Sequence, residues 1–162
     1  MSVEIEEIQI ACFKLGEDLF GIDIMRIREI IRPQRLSSLP KAPSFVEGVI
    51  NLRGTIIPVI DLHKRFDMPG LQESPHIRLL IVSLGRQLIG LVVDDVTEVI
   101  AVPVKDIKPP PQVVGGIGAE YLIGVCLAHD NLIMLLNIDQ LLTAKEAGEL
   151  TGIQGERPGA SQ

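Results

Sequence analysis

At 162 residues, 46% of them apolar but only 3% aromatic and none of them Trp, the chain can bury an aliphatic core without help from disulfides or metals. Its formal net charge of −6 excludes sequence-independent nucleic-acid binding and anionic lipid surfaces, both of which rely on Lys and Arg. The longest apolar runs, such as Leu79-Leu80-Ile81-Val82, fall far short of the ~20 residues that cross a bilayer, and the start Met1-Ser2-Val3-Glu4 is acidic where a signal peptide is basic, so a cytoplasmic protein without direct membrane insertion is expected.

Residues 1–7 carry no periodic pattern and read as a flexible lead-in. A strand is expected over 8–15, a turn at Gly16-Glu17-Asp18, and a returning strand at Phe20-Gly21-Ile22. Residues 23–31 place Ile24, Ile27 and Ile31 at helical spacing behind a capping Asp23, which predicts one helical turn followed by a strand. The loop around Pro40 leads into two β-branched runs across residues 48–62, a buried hairpin that pushes Arg53 outward at its tip. The broken, polar stretch 67–76, with Pro69-Gly70 and Ser74-Pro75, reads as a linker.

Beyond it the pattern repeats. Gly16 and Gly21 match Gly85 and Gly90, Glu29-Ile30-Ile31 matches Glu98-Val99-Ile100, and Pro40 matches Pro109, each 69 positions apart. After Pro109-Pro110-Pro111, a stiff connector or else an exposed docking segment, the offset rises to 76 because extra residues surround Gly115-Gly116-Ile117-Gly118. The chain therefore reads as mainly β, two copies over 8–66 and 77–142, each with about five strands that close into a small barrel. Residues 138–148 have helical spacing with Gly148 as a stop, so a short C-terminal helix is expected, and 152–162 are expected to be disordered.

The repeat is its own control, since residues required by the fold should agree in both copies. Cys12 matches Ile81 and Cys126 matches Ile50, so both thiols are expected in the core and not in redox or metal chemistry. His63, His76 and His129 show no metal-ligand spacing, no nucleophile elbow or Walker pattern exists, and the glycines at 115–118 precede no cationic helix start. No enzyme, metal or cofactor is expected. Asp61 matches Asn137 and reads as a cap. Glu29 has an identical partner in Glu98, which on the repeat alone makes it structural or simply exposed. The tips differ: Asn51-Leu52-Arg53-Gly54-Thr55 faces Leu127-Ala128-His129-Asp130-Asn131, with Gly54 and Asn131 read as the residues that tolerate positive φ. Either both are solvated turns, or Arg53 is a binding residue whose planar fork suits a carboxylate or carbonyl.

Phe20-Gly21-Ile22-Asp23, Glu29-Ile30, residues 40–48, the run 48–62 and Val92-Val93-Asp94-Asp95-Val96 together resemble the family of the bacterial chemotaxis coupling protein CheW. The resemblance covers about residues 8–146 and implies two SH3-like five-stranded β-barrels and a non-catalytic adaptor. Its implied partners are the cytoplasmic tip of methyl-accepting chemotaxis receptors, the regulatory domain of the histidine kinase CheA, and CheW–CheW ring contacts, with recruitment to receptor arrays at the inner face of the membrane. It assigns Ile27, Glu29, Arg53, Gly90 and Val99 to binding, which for Glu29 overrides the structural reading. A paralogue serving a chemosensory-like pathway for pili, development or gene regulation, and a small-molecule-binding double barrel, stand as the other readings.

Overall fold

The computed structural model describes residues 6–70, 72–111, 113–114 and 117–155. The first copy supplies β1 (Glu7–Leu15), β2 (Asp18–Asp23), β3 (Ile27–Ile31), β4 (Val46–Leu52) and β5 (Thr55–Asp61), followed by a single helical turn α1 (Leu62–Arg65). The second supplies β6 (Arg78–Leu84), β7 (Gln87–Val93), β8 (Asp95–Pro103), a small ladder of β9 (Val113–Val114) with β10 (Ile117–Gly118), then β11 (Leu122–Ala128), β12 (Asn131–Leu136) and helix α2 (Ala144–Gly155). As the spacing predicts, a 3-10 turn at Ile24–Arg26 separates β2 from β3, and Asp23 caps it by accepting from the Met25 amide at 3.0 Å.

The two sheets do not coincide with segments 8–66 and 77–142. Sheet I runs β11-β12-β2-β1-β8 and sheet II runs β3-β6-β7-β5-β4, so each takes one hairpin from one copy and three strands from the other. The expectation of one barrel per copy is corrected by a steric fact. β2 already lies between β1 and β12, which leaves β3 no edge beside it, and the 3-10 turn delivers β3 to the other sheet. The joins between copies are the parallel pairs β2 with β12 and β5 with β7.

Period-two alternation then builds three apolar layers. Ile10, Cys12, Ile133 and Leu135 fill the interior of sheet I, and Ile57, Val59, Leu79, Ile81 and Val92 fill that of sheet II. The opposite faces of the same strands, with Phe13, Phe20, Ile22, Leu80, Leu91 and Met134, form one shared layer between the sheets. Both thiols sit in the sheet I interior, and their repeat partners Ile81 and Ile50 sit in that of sheet II. Burial, helped by Glu98 and Cys126, pushes the Cys12 thiol up to about 11.

The linker is stapled. Buried His63 donates Nδ1–H to the Pro69 carbonyl at 2.7 Å and meets Asp94 at 2.8 Å through Nε2, while Asp94 accepts from the Gly16 amide at 2.6 Å. Asp61 caps α1 by accepting from the His63 amide, as expected of it, whereas Asn137 makes no side-chain cap bond. At the C-terminus the structure differs from the sequence reading. Residues 138–140 are a 3-10 turn, the helix starts at Ala144 behind a reciprocal Thr143–Glu146 capping box, and it runs through Gly148 to Gly155. Residues 152–155, expected to be disordered, are thus helical, and 156–162 lie outside the described residues.

Arg65 ties this helix to the rest. Its guanidinium donates to the Leu141 carbonyl at 2.7 Å and to both oxygens of Glu146, and lies over the rings of Phe45 and Tyr121. Arg65→Met leaves Glu146 without its partner in a half-dry site and is expected to cost about 3 kcal/mol in urea unfolding; Arg65→Lys recovers little, because an ammonium supplies neither the fork nor the stacking plane.

The repeat-matched glycines make a second test. A methyl on Gly21 overlaps Ile10 Cγ2 and presses Leu135 Cδ2 at 3.1 Å, whereas a methyl on Gly90 meets Val59 at 3.4 Å and Ile81 at 3.5 Å, ordinary contact. Thermal unfolding is expected to show Gly21→Ala destabilised by about 2 kcal/mol and Gly90→Ala by well under 1 kcal/mol.

Candidate functional site

Sheet II closes toward a barrel along a seam between its edge strands β3 and β4. One end is joined by main chain, Ser37 and Val49 exchanging hydrogen bonds of 2.9 Å. The other is joined by side chains: Arg53, at the β4–β5 tip, grips both carboxylate oxygens of Glu29 on β3, with Nη1 to Oε1 at 3.2 Å and Nη2 paired to Oε2. Two central turn residues with positive φ, Arg53 at 51° and Gly54 at 90°, give the tight hairpin twist, and Asn51 Oδ1 holds the Gly54 amide at 2.9 Å. The turn thus lifts the guanidinium clear of the sheet, leaving the Arg53 side chain 70% exposed even while paired.

Under this clasp is a depression of about 390 Å³ whose floor is Leu52, Ile57, Ile81 and Leu88. It offers an apolar base with a bidentate cation and a carboxylate on its rim. The Arg53 hydrogen bonds hold the Glu29 carboxyl below the usual glutamate range.

The other copy repeats the device in weaker form. In sheet I, Lys108 and Val125 exchange the seam bonds, and His129 Nε2 stands 3.6 Å from Glu98 Oε1. Here the positive φ values fall on His129 and Asp130, not on Asn131, which begins β12. Glu29 matches Glu98 and Arg53 matches His129, so an acid on the third strand facing a nitrogen-bearing side chain on the tip is common to both halves.

The five sequence-assigned residues divide. Glu29 and Arg53 touch; Ile27 shares β3 with Glu29 and packs, half-buried, on the shared layer. Val99 is exposed on β8, at the edge of sheet I, a strand of the other sheet. Gly90 is buried and faces the sheet II interior between Val59 and Ile81, so it acts on any surface only through packing. Sequence reasoning missed the Glu29–Arg53 pair, although the two offsets, taken together, map it onto Glu98 and His129. It also missed Arg65 and the His63–Asp94 link, whose partners lie 81 and 31 positions away with no local pattern to announce them. Among the described residues no group of His, Cys, Asp and Glu is placed to hold a metal.

Because the depression of the Glu29 carboxyl comes first from the Arg53 hydrogen bond, Arg53→Gln is expected to return it toward the ordinary glutamate value, read by carbon-13 NMR titration of Glu29 Cδ. The sign follows: a carboxyl lowered in the folded state contributes stability above its unfolded value and loses it as pH falls through the folded one.

Comparison with known proteins agrees with this architecture. The model of the CheW-like domain matches residues 9–146. The chain is 41% identical over 157 residues to the chemotaxis protein CheW of Treponema pallidum, covering 94% of this chain and 92% of that one, and 32% identical to that of Klebsiella aerogenes, covering 83% and 81%. Among solved structures it resembles the scaffolding protein TtCheW of Thermoanaerobacter tengcongensis, with a TM-score of 0.81 and 37% identity over 87% of this chain and 91% of that one. With two five-stranded SH3-like barrels and a family match over most of its length, the chain belongs to the CheW-like domain family.

Proposed function

We propose that this chain is a non-catalytic adaptor that couples methyl-accepting chemotaxis receptors to the histidine kinase CheA in bacterial signalling arrays. The observation that carries the reading is the match of residues 9–146 to the CheW-like domain, together with relatives named chemotaxis protein CheW and a solved structure described as a scaffolding protein. In this reading the chain is cytoplasmic and recruited to arrays at the inner face of the membrane. No helix among the described residues is long and apolar enough to cross a bilayer.

The chemistry suits an adaptor. Arg53 and Glu29 offer a bidentate donor and an acceptor on the rim of a largely polar depression with an aliphatic floor, a combination that recognises a receptor tip by one polar anchor and a few aliphatic contacts. Ile27 and Val99 extend the contact, and Gly90 keeps the sheet II interior in shape behind it. Barrel-to-barrel contact with the CheA regulatory domain and ring contacts between copies complete the assembly. Each contact is weak alone and effective through repetition in an array.

The test is Arg53→Glu. An exposed ion pair contributes little to stability, so the melting temperature is expected to stay within a few degrees of wild type. Pull-down by a receptor cytoplasmic fragment is expected to fall at least about tenfold, because the cation is replaced by an acid that repels the groups it bound. Unchanged receptor capture removes Arg53 from the interface, and loss of folding makes it structural.

A further inference from the structure

The acidic chain contains one basic strip. Residues 26–41 hold five of the 15 Lys and Arg residues, Arg26, Arg28, Arg32, Arg35 and Lys41, against one acid, Glu29. The segment is therefore +4 and the remaining chain −10, which together give the net −6. A solvated face in a protein of this charge normally interleaves the two signs.

The fold exposes this strip. Along β3 a bulge between Ile27 and Glu29 breaks the alternation, so that Ile27 packs on the shared layer and Ile31 on the sheet II interior; Arg28, at the bulge, and Ile30 are exposed, and exposed Arg32 follows just beyond the strand. Arg28 and Arg32 thus flank the exposed apolar Ile30 along the chain. Arg35 and Lys41 are exposed on the loop that follows. Arg26 is engaged with Asp139 at 2.7 Å, and Glu29 is held by Arg53, so neither tempers the strip. Arg28 reaches only the Ser83 hydroxyl, at 3.2 Å, and Arg32, Arg35 and Lys41 form no ion pair among the described residues. β3 is also an edge strand, flanked in its sheet only by β6.

We infer that the exposed residues Arg28, Ile30 and Arg32, continued by Arg35 and Lys41, form a docking surface for an acidic protein segment that sets carboxylates on either side of an apolar side chain. Charge complementarity selects the occupant: four cations without carboxylate partners, on a body otherwise −10, attract an anionic segment and repel like surfaces. The order of the exposed residues and the edge position of β3 select its form, an extended segment with an apolar residue between two acids, which can lie along the strand with its apolar residue at Ile30. An anionic bilayer is disfavoured by the negative remainder of the chain, and a nucleic acid by the lack of any aromatic side chain in the strip on which a base could stack. Arg28 also lines the depression beneath the Glu29 clasp, whereas Ile30, Arg32, Arg35 and Lys41 do not; the surface requires neither a receptor nor a kinase, so its test is separate from that of the function proposed above.

The experiment uses the full chain and three probes: a short fluorescent peptide with glutamates two positions either side of a valine, phosphatidylserine vesicles, and oligothymidine. Fluorescence anisotropy is expected to show saturable peptide binding that weakens at least about tenfold between about 50 and 300 mM salt. Amide shifts in nitrogen-15 NMR are expected to cluster at residues 28–41. The triple variant Arg28→Glu, Arg32→Glu, Arg35→Glu is expected to lose at least about tenfold in affinity, and the control Lys14→Glu, Arg86→Glu, which reverses exposed cations elsewhere, to lose less than about twofold. Should the triple variant melt more than a few degrees below wild type, Arg32→Gln with Arg35→Gln takes its place, with a loss of at least about threefold expected. Absent binding at millimolar peptide, salt-insensitive binding, equal loss in the control, or capture of vesicles or oligothymidine in place of the peptide each overturns the proposal.

Discussion

A strand buried on both faces must find partners above and below, and in this chain nearly every central strand is in that position. The layer between the sheets meets that demand, with Phe13, Phe20, Leu80, Leu91 and Met134 contributed from both sheets and both repeat copies. Neither barrel can be closed off alone, because removing one sheet would strip the outer face of the other. The apolar runs Leu79-Leu80-Ile81-Val82 and Leu88-Ile89-Gly90-Leu91-Val92 are continuous for the same reason: alternate residues serve different layers, and no face is left for water.

The exchange of hairpins between copies follows from the same layer. Had each copy kept its own strands, the duplication would have produced two domains on a linker. Instead the 3-10 turn after β2 carries β3 across, and the parallel pairs β2 with β12 and β5 with β7 bind the halves through main-chain hydrogen bonds. Polar links then hold the segments that the layer does not reach. His63 fastens the start of the linker to Asp94, and through it to the β1–β2 turn, while Arg65 fastens α2 through Glu146 and two aromatic faces. Each joins residues far apart in sequence.

With the layers fixed, the seams are where the two halves diverge. Both close at one end by a reciprocal main-chain pair and at the other by an acid facing a nitrogen-bearing tip side chain, yet one half has an arginine in bidentate contact and the other a histidine at 3.6 Å. The main-chain part is needed for the barrel and is shared. The tip is solvated, costs the fold little to vary, and has come to differ, which is the pattern expected where one copy has taken on recognition.

The residues themselves determined the mainly β class, the duplication, the turn capped by Asp23, the core placement of both cysteines and the outward Arg53, because each rests on local spacing or on a match between copies. Sheet membership was beyond reach: β-branched runs say that a strand is buried, not which strand lies beside it, and pairing is decided by which edges are already occupied. The C-terminal helix outran its expected stop because Gly148 costs about 1 kcal/mol in a helix, less than the Thr143–Glu146 cap and the Arg65 contacts can supply. Glu29 shows the limit most clearly. Its match to Glu98 made it structural or simply exposed and the family resemblance made it a binding residue, and only the closure of β3 against β4 makes one carboxylate a seam clasp on the rim of an open depression. Spacing along the chain could place the acid and the cation; bringing them together across 24 residues took the curvature of the sheet.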